Sequence, residues 1–402
     1  MSLAADIFLI CSWLMALAWV WLAVAALRGL RALPDLTQRP LPPDLPPAAE
    51  SDLTVVVPAC NEEAAIAATL RSLLATRGLR LQIVAVNDRS TDRTAAEMAA
   101  VQAEVGSTPH ELAIMTVEAL PEGWLGKPHA MALAAAHAKA DWLLFTDGDV
   151  LFAPDALARA LHHAKAEQAD HLIVFPTLLV HSLPERAMQA ALQVLATWGV
   201  RLWKISDPRA RDFLGVGGFN LIRREAYEAV GGFESLRMEV LDDVRMGWKL
   251  KRAGFRVRVA YGPGLVSIRW LAGALSVIRL IEKNSFSATR FQPVLHVLGS
   301  FTLAAVALLP VADLAVGFNH WQGSLLAAAA GAVSALGILL SYRAHRQLTH
   351  APAWLAVFFP PAIAVVAYAF FLSMMLALVR GGIIWRGTRY RLKALREHAG
   401  RW

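Results

Sequence analysis

Two aspartates separated by a single glycine stand directly after an apolar segment of the chain. Asp147 and Asp149 flank Gly148, and the preceding Trp142–Phe145 has the composition of a buried strand. Two hard carboxylates on one tight turn suit Mg²⁺ or Mn²⁺, which prefer oxygen ligands and leave positions open for phosphate oxygens. Acid pairs at this spacing also occur as solvated turns. The abrupt change from strand to acids favours the metal site.

Other acidic side chains occur where a nucleotide or a proton could be bound. Asp88 follows a second apolar segment, residues 82–86, and could accept hydrogen bonds from a base or ribose, or cap the next helix. Asp242 and Asp243 precede a helical run, where acids complement a helix N-terminus. One of them could instead be a general base toward a hydroxyl, because crowding two carboxylates makes one more basic. The spacing leaves both interpretations open.

Two further segments could approach a phosphate group. Residues 215–220, Gly-Val-Gly-Gly-Phe-Asn, allow a close approach of backbone to a ligand, and a plain turn explains them equally well. Lys127 begins a predicted alanine-rich helix over residues 127–138 and could place a cation near phosphate. The alternative is a lysine that is simply solvated.

The segments that carry these residues alternate between strand and helix patterns. Strands are predicted at residues 53–58, 82–86, 112–117 and 142–145. Helices are predicted over residues 66–74, after the Ser90-Thr91-Asp92 caps, over residues 127–138 and after Pro154. This alternation predicts a mainly parallel α/β sheet with helices on both faces. Ligands bind at the carboxyl ends of such strands, which is where Asn61, Asp88, Asp147 and Asp149 fall.

The composition indicates a membrane protein. The 402 residues are 56% hydrophobic and 18% charged, with a mean hydropathy of +0.44, which excludes a disordered chain. Two cysteines, Cys11 and Cys60, are too few for a disulfide framework or a zinc site. The net charge of +7 comes with basic residues that flank apolar runs, and no motif indicates nucleic-acid binding.

Long uncharged runs lie near both ends of the chain. The first, between Asp6 and Arg28, is long enough to cross a bilayer. The predicted division is an N-terminal transmembrane anchor (1–28), a proline-rich linker (29–50), a soluble domain (51–265), an interfacial segment (266–290), transmembrane segments (291–380) and a basic tail (381–402).

The orientation follows from the charges beside these runs. Arg28, Arg31 and Arg39 predict that the soluble domain is cytosolic, at a cell membrane such as a bacterial inner membrane. Four full crossings would place the basic tail outside, although its charges favour the cytosol. Pro360-Pro361 could break the last apolar run into a re-entrant or interfacial element. We therefore expect a cytosolic tail.

Taken in order, the motifs resemble a membrane-bound family 2 glycosyltransferase with a GT-A (Rossmann-like) fold. The resemblance covers about residues 51–265, and the apolar ends are similar to the lipid- and carotenoid-glycosylating branch, including hopanoid-associated members. The matching segments are Val57-Pro58-Ala59-Cys60-Asn61-Glu62, Asn87-Asp88-Arg89-Ser90-Thr91-Asp92, Asp147-Gly148-Asp149, residues 218–232, Leu241-Asp242-Asp243 and Trp385-Arg386-Gly387-Thr388-Arg389-Tyr390.

The resemblance implies roles for individual residues. Asp243 matches the catalytic base, with Asp242 as its acidic partner, and Asp147 and Asp149 would hold the divalent metal. The donor nucleotide-sugar would be bound by Pro58, Asn61, Glu62, Asp88, Lys127 and Asp147. The family pattern is interrupted in two places. Asn87 replaces the first of two usual acids, and Val266 stands where the Gln-x-x-Arg-Trp motif of processive synthases needs glutamine, although Arg269-Trp270 follows.

The expected function is therefore a single sugar transfer at the membrane. We expect an inverting, metal-dependent transfer from a nucleotide-diphosphate sugar, with a UDP-sugar as the first expectation, to the hydroxyl of a membrane lipid. One alternative is a processive polysaccharide synthase of the same fold. Another is a non-catalytic membrane scaffold that retains nucleotide binding, and a transporter has little support.

Overall fold

The computed structural model describes residues 3–39, 51–106, 108–317 and 323–398. The strands are β1 Leu53–Ala59, β2 Leu81–Asp88, β3 Glu111–Val117, β4 Trp142–Phe145, β5 Val150–Phe152, β6 His171–Phe175, β7 Thr177–Leu178, β8 Asn220–Arg223, β9 Val257–Tyr261, β10 Val266–Ile268, β11 Gly382–Trp385 and β12 Thr388–Arg391. The helices are α1 Leu3–Gly29, α2 Ile66–Leu74, α3 Thr94–Glu104, α4 Gly126–Ala135, α5 Ala156–Ala166, α6 Leu183–Gly199, α7 Arg224–Ala229, α8 Asp242–Arg252, α9 Ser276–Ala288, α10 Pro293–Val316, α11 Ser324–Thr349, α12 Phe359–Val379 and α13 Leu392–His398.

A seven-stranded sheet forms the centre of the soluble domain. Its order is β3-β2-β1-β4-β8-β6-β9, and only β8 runs against its neighbours. The four predicted strands are present as β1 to β4, so the prediction of a mainly parallel sheet is confirmed. The antiparallel β8 was not predicted. It reverses the chain at the middle of the sheet and so brings the glycine-rich loop before it to the carboxyl edge.

Helices cover both faces of this sheet because the side chains of β1 alternate between them. Val55 and Val57 pack with α2, α3 and α5, whereas Val56 packs with α4 and α8. A strand buried on both faces must be apolar throughout, which explains the uninterrupted Val-Val-Val run. Helix α5 begins at Ala156, two residues after Pro154.

The linker ties the first apolar helix to the edge of the sheet. Pro34 O accepts a hydrogen bond from Tyr261 N of β9, and Asp35 forms a bridge with the same residue. The rest of the predicted linker, from Pro40 to Glu50, lies outside the described residues.

Within the described residues, four helical segments are long and apolar enough to cross a membrane. They are residues Leu3–Ala32, Pro293–Val316, Ser324–Thr349 and Ala353–Val379. Helix α1 packs along α11, where a Cβ on Gly337 would lie only 2.8 Å from Trp19 Cβ. Asp313 is a buried residue of α10 that accepts a 2.6 Å hydrogen bond from Ser12 Oγ.

The chain approaches the soluble domain before and after α12. Before it, His350 lines a small cavity with Tyr261 of β9, nine residues ahead of the first residue of α12. At the other end, Arg380 pairs with Glu282 of α9 at 2.6 Å. Pro360 and Pro361 occupy the first turn of α12, after the short 3₁₀ helix Ala353–Phe358, where proline is well tolerated. The last apolar run is thus interrupted just before these prolines rather than within α12.

The buried His171 predicts a stability that falls in acid. His171 is fully buried, its Nε2 lies 3.1 Å from Asn220 Oδ1, and burial lowers its pKa to about 4 from an ordinary 6.5. Between these values the unfolded chain binds a proton that the folded chain excludes, so stability falls as pH drops below 6.5. Between pH 7 and pH 5 the loss should reach about 2 kcal/mol.

Thermal unfolding of a His171→Gln variant should show a smaller acid dependence than the parent protein. The matched control is His162→Gln, because His162 is exposed on α5. Equal acid dependence in the parent and in both variants would contradict a role for His171.

Candidate active site

Side chains predicted from the sequence converge at the carboxyl edge of the sheet. Lys127 Nζ lies 2.6 Å from Asp147 Oδ1 and 3.9 Å from Asp242 Oδ2. These residues come from the start of α4, the end of β4 and the start of α8. Burial alone would lower the pKa of Lys127, but Asp147, Asp242 and Asp243 together raise it above its ordinary value. Lys127 is therefore a fixed cation among carboxylates and not a solvated lysine.

The turn after β4 carries more negative charge than its surroundings neutralise. Burial, Asp147 and Glu62 raise the pKa of Asp149 to about 7. For Asp147, burial disfavours ionisation, but the neighbouring Lys127 outweighs it and lowers the pKa. A crowded set of carboxylates of this kind is stabilised by a bound cation.

The donor set fits a hard divalent ion that keeps other ligands. In the parts of the chain that the structure describes, no three His, Cys, Asp or Glu side chains form a closed metal cage. Mg²⁺ is commonly held by one or two carboxylates together with water and substrate phosphates. Asp147 and Asp149 meet that requirement.

Asp242 and Asp243 form the first turn of α8. Asp243 Oδ1 accepts a 2.8 Å hydrogen bond from Val244 N, while the buried Asp242 Oδ2 has no hydrogen-bond partner among the described residues. Burial and the adjacent Asp242 raise the pKa of Asp243 to about 6, and burial raises that of Asp242. The acids therefore begin a helix, and the raised pKa of Asp243 is compatible with the general-base interpretation, which stays a prediction.

The glycine-rich loop packs directly on these acids. A Cβ on Gly215 would lie 1.8 Å from Asp243 O, and one on Gly217 would lie 2.6 Å from Asp147 Oδ2. Thr146 Oγ1 donates a 2.8 Å hydrogen bond to Gly218 O. The glycines are thus needed for a close approach of backbone to the acids, beyond any plain turn.

Asp88 ends β2 and is buried beside the same edge. Its carboxylate accepts hydrogen bonds from Arg89 Nε at 2.7 Å and Arg89 Nη2 at 3.1 Å. A Cβ on Gly126 would clash with Asp88 Oδ2 at 2.3 Å, so α4 begins against it. Asp92, not Asp88, accepts the hydrogen bond from Thr94 N at the start of α3. The capping alternative for Asp88 is therefore wrong.

The segment after β1 places three predicted residues differently. Pro58 is buried within β1, beyond the last residue of that strand paired with β4. Asn61, in the left-handed region with φ 56°, uses its Oδ1 to accept a hydrogen bond from Thr91 N at 2.8 Å. Glu62 lies beside the turn that carries the acids, since a Cβ on Gly148 would be 3.6 Å from Glu62 Cγ, and its charge raises the pKa of Asp149.

A β-hairpin in the basic tail completes the site. Strands β11 and β12 are joined by Arg386 and Gly387, both with positive φ (48° and 78°), as in tight two-residue hairpin turns. Arg386 Nη1 donates to Cys60 O at 2.7 Å, and its Nη2 lies 2.7 Å from Glu62 Oε1. In sequence, Arg386 stands out only within the segment that resembles the family, and no role follows from that. Its local signal, a single Arg-Gly pair, is weak.

Lys283 of α9 is a second cation at the site that sequence reasoning left without a role. Its Nζ lies 4.3 Å from the centre of the Trp385 ring. Burial and the nearby Lys127 lower its pKa to about 8, although Asp242 and Asp147 act in the opposite direction. The interfacial segment therefore adds a positive charge near the carboxylate cluster.

Arg269 and Trp270 take other positions. Arg269 Nη2 lies 3.7 Å from Glu185 Oε1 of α6, and Trp270 is 40% exposed. Within the predicted interfacial segment, Leu271 is buried against the apolar helices, whereas Leu275 is exposed. In the hairpin, by contrast, Arg386 contacts Glu62 and Trp385 packs against Lys283.

Comparison with known proteins agrees with this geometry. Residues 54–231 match the model of Glycosyl transferase family 2. Two curated relatives are 4,4'-diaponeurosporenoate glycosyltransferases, one from Staphylococcus haemolyticus (23% identical over 245 residues, 60% of this chain) and one from Staphylococcus aureus (24% over 218 residues, 54% of this chain). The matched regions cover 63% and 56% of those relatives, less than two thirds of their length.

A solved structure shares the fold. A mannosyltransferase from Pyrobaculum calidifontis, determined in complex with GDP-Man and Mn²⁺, superimposes with a TM-score of 0.52 and 19% identity, covering 92% of this chain and 99% of its own. The similarity at this identity concerns the fold alone. With the family match, it leads to one conclusion: the chain contains a glycosyl transferase family 2 domain, built on a GT-A fold.

Proposed function

We propose that the protein is an inverting, metal-dependent glycosyltransferase that moves one sugar from a nucleotide-diphosphate sugar to a lipid hydroxyl at the cytosolic face of a membrane. The observation that carries the proposal is the grouping of Lys127, Asp147 and Asp242 within 4 Å, next to Asp149 and Asp243. The carotenoid-associated relatives support an apolar acceptor.

The donor would lie across the carboxyl edge of the sheet. Asp88, buried at the end of β2, would accept hydrogen bonds from the nucleoside, and Asn61 holds the neighbouring loop through the hydrogen bond from Thr91 N. Lys127 and Arg386 supply positive charge near the diphosphate. A divalent cation held by Asp147 and Asp149 would offset the negative charge that develops on the departing diphosphate.

Asp243 would activate the acceptor. Its carboxylate takes the proton of the lipid hydroxyl as the hydroxyl oxygen bonds to the anomeric carbon, on the face opposite the diphosphate. The bond from that carbon to the diphosphate oxygen breaks, so the configuration inverts. A pKa of about 6 suits a base that works near neutral pH, because it is mostly ionised and still basic.

The contacts of the tail support a specific topology. The tail hairpin touches Cys60 and Glu62, so the tail and the soluble domain lie on one side of the membrane. An even number of crossings must then separate them. We therefore place α1, α10 and α11 across the bilayer and α12 along its cytosolic leaflet.

This topology predicts the accessibility of the tail. In a Cys11→Ser background, a Lys393→Cys variant should react with a membrane-impermeant maleimide in inverted vesicles and not in intact cells. Glu225→Cys, on the soluble domain, is the matched control and should behave identically. Labelling of Lys393→Cys from the side opposite to Glu225→Cys would overturn the topology.

The function itself is tested by the product. Purified full-length protein is incubated with total membrane lipid, Mn²⁺ and a panel of labelled sugar nucleotides, and the lipid products are weighed by mass spectrometry. The proposal expects lipid that gains one sugar from one donor. A ladder of sugars would indicate the processive alternative, and an absence of transfer with every donor would indicate a scaffold.

A further inference from the structure

A cavity of about 280 Å³ lies next to the tail hairpin and is lined by Lys283, which packs against Trp385. Its walls are α9, α12 and β11. Among the residues proposed to bind the donor or the metal, none lines it. It is therefore distinct from the proposed donor site. Lys283, one of its lining residues, is nevertheless close enough to Asp242 and Asp147 for their charges to affect its pKa.

The polar lining of this cavity is cationic. Arg279, Lys283 and Arg380 contribute three positive charges, and Glu282 contributes one negative charge, which leaves an excess of two. Glu282 is already paired with Arg380 at 2.6 Å. Over the described part of the chain, no carboxylate lies within 4.0 Å of Lys283 Nζ or of the Arg279 guanidinium. A cation held beside an aromatic ring without a direct counter-ion favours an anionic ligand.

Apart from Ser373 and Gly382, the remaining lining is apolar. Leu376 and Ala377 belong to α12, while Ile383 and Ile384 belong to β11. Ile384 is half exposed, and Leu275 just before α9 and Val379 at the end of α12 are exposed apolar residues nearby. A soluble anion would leave these apolar surfaces exposed to water, whereas an alkyl chain would bury them.

We propose that this cavity binds the anionic headgroup of the lipid acceptor, a carboxylate or phosphate held by Lys283, with the apolar chain leaving between α9 and α12. That the bound lipid is the acceptor rests on the proposed function, whereas the binding of an anionic amphiphile does not depend on that function. Bound there, the lipid headgroup would lie near the carboxylate cluster, since Lys283 packs on Trp385 and the adjacent Arg386 contacts Glu62.

The test is an equilibrium binding measurement that requires no sugar transfer. Full-length protein in phosphatidylcholine nanodiscs is titrated with radiolabelled dodecyl phosphate and laurate, with empty nanodiscs subtracted. Dodecanol and inorganic phosphate serve as competitors. Both anionic amphiphiles should bind at least about tenfold more tightly than dodecanol, and about 100-fold more tightly than inorganic phosphate, because both the charge and the chain contribute.

Variants assign the site. Lys283→Met should weaken both amphiphiles by about tenfold or more, and Lys283→Arg should restore most of the affinity. Leu376→Trp, which narrows the cavity without removing charge, should weaken both as well. Lys393→Met, on the exposed face of α13, is the matched control and should bind as the parent does.

The outcomes separate the possible explanations. Equal affinity for dodecanol, or equal affinity for inorganic phosphate, overturns the proposal, as does unchanged binding in Lys283→Met. If Lys283→Met does not fold, unchanged binding in Leu376→Trp overturns it. Because binding is measured without a donor, failure of sugar transfer leaves this result unaffected, and failure of binding leaves the transfer assay unaffected.

Discussion

Replacement of Asp243 by Asn is expected to lower the rate of sugar transfer by about 10²–10⁴-fold, the usual contribution of a positioned general base. The amide keeps the size of the side chain and can still accept from Val244 N, so α8 should begin as before. Donor affinity should change little, because Asp243 acts on the acceptor. The measurement is the transfer rate at saturating donor and lipid in nanodiscs.

The matched control is Asp141→Asn, which changes an exposed aspartate at the opposite end of β4. It should retain the parent rate. A rate for Asp243→Asn equal to that of this control would show that the acceptor needs no base at this position.

The pH profile tests the same role independently. Because the pKa of Asp243 is raised to about 6, the basic form predominates above that pH and is lost below it. Measured at saturating metal, which keeps Asp149 ionised, the transfer rate should therefore fall about tenfold per unit below pH 6. Asp243→Asn should lack this inflection, and an unchanged acid limb in the variant would assign the inflection to another group.

Replacement of Asp147 by Ala is expected to abolish the stimulation of turnover by Mg²⁺ or Mn²⁺ and to reduce the rate by about 10³-fold. The magnitude follows from the several kcal/mol that a bound metal contributes to stabilising transition-state charge. The residue also holds Lys127 at 2.6 Å, so the variant removes the carboxylate that neutralises that cation. The measurement is the rate against metal concentration, with EDTA as the zero point.

Asp147→Asn and Asp149→Ala complete this experiment. Both should lose metal stimulation, and both should keep the thermal unfolding midpoint within a few degrees of the parent. Retained metal stimulation in Asp147→Ala would contradict the assignment of Asp147 as a ligand, and a collapse of the unfolding midpoint would show a structural role instead.

The parts of the site that the sequence predicts are those encoded locally. The apolar runs of β1, β2 and β4 each end in a polar residue, and parallel strands bring those ends together at one edge. Asp88 and Asp147 could therefore be located from the strand pattern alone. Only the structure shows that Asp88 does not cap α3, because Asp92, four residues later, is an equally good cap in sequence.

The parts that the sequence does not predict depend on contacts between distant segments. Arg386 contacts Cys60, which lies 326 positions earlier in the chain. Lys283 is near enough to Asp242 and Asp147 for their charges to affect its pKa, although these residues are far apart in sequence. No local periodicity encodes such contacts. The position of α12 was similarly ambiguous, since 21 apolar residues satisfy the length of a crossing whether the helix crosses the bilayer or lies along it.

The most direct test is to locate manganese by its anomalous scattering in crystals of the full chain bound to a nucleotide-diphosphate sugar. Our account predicts a single peak within about 2.2 Å of carboxylate oxygens of Asp147 and Asp149 and of the diphosphate. It also predicts that Asp243 faces the anomeric carbon from the side opposite the diphosphate. A donor bound with its metal away from this edge, or with Asp243 pointing out of the cavity, would contradict the account.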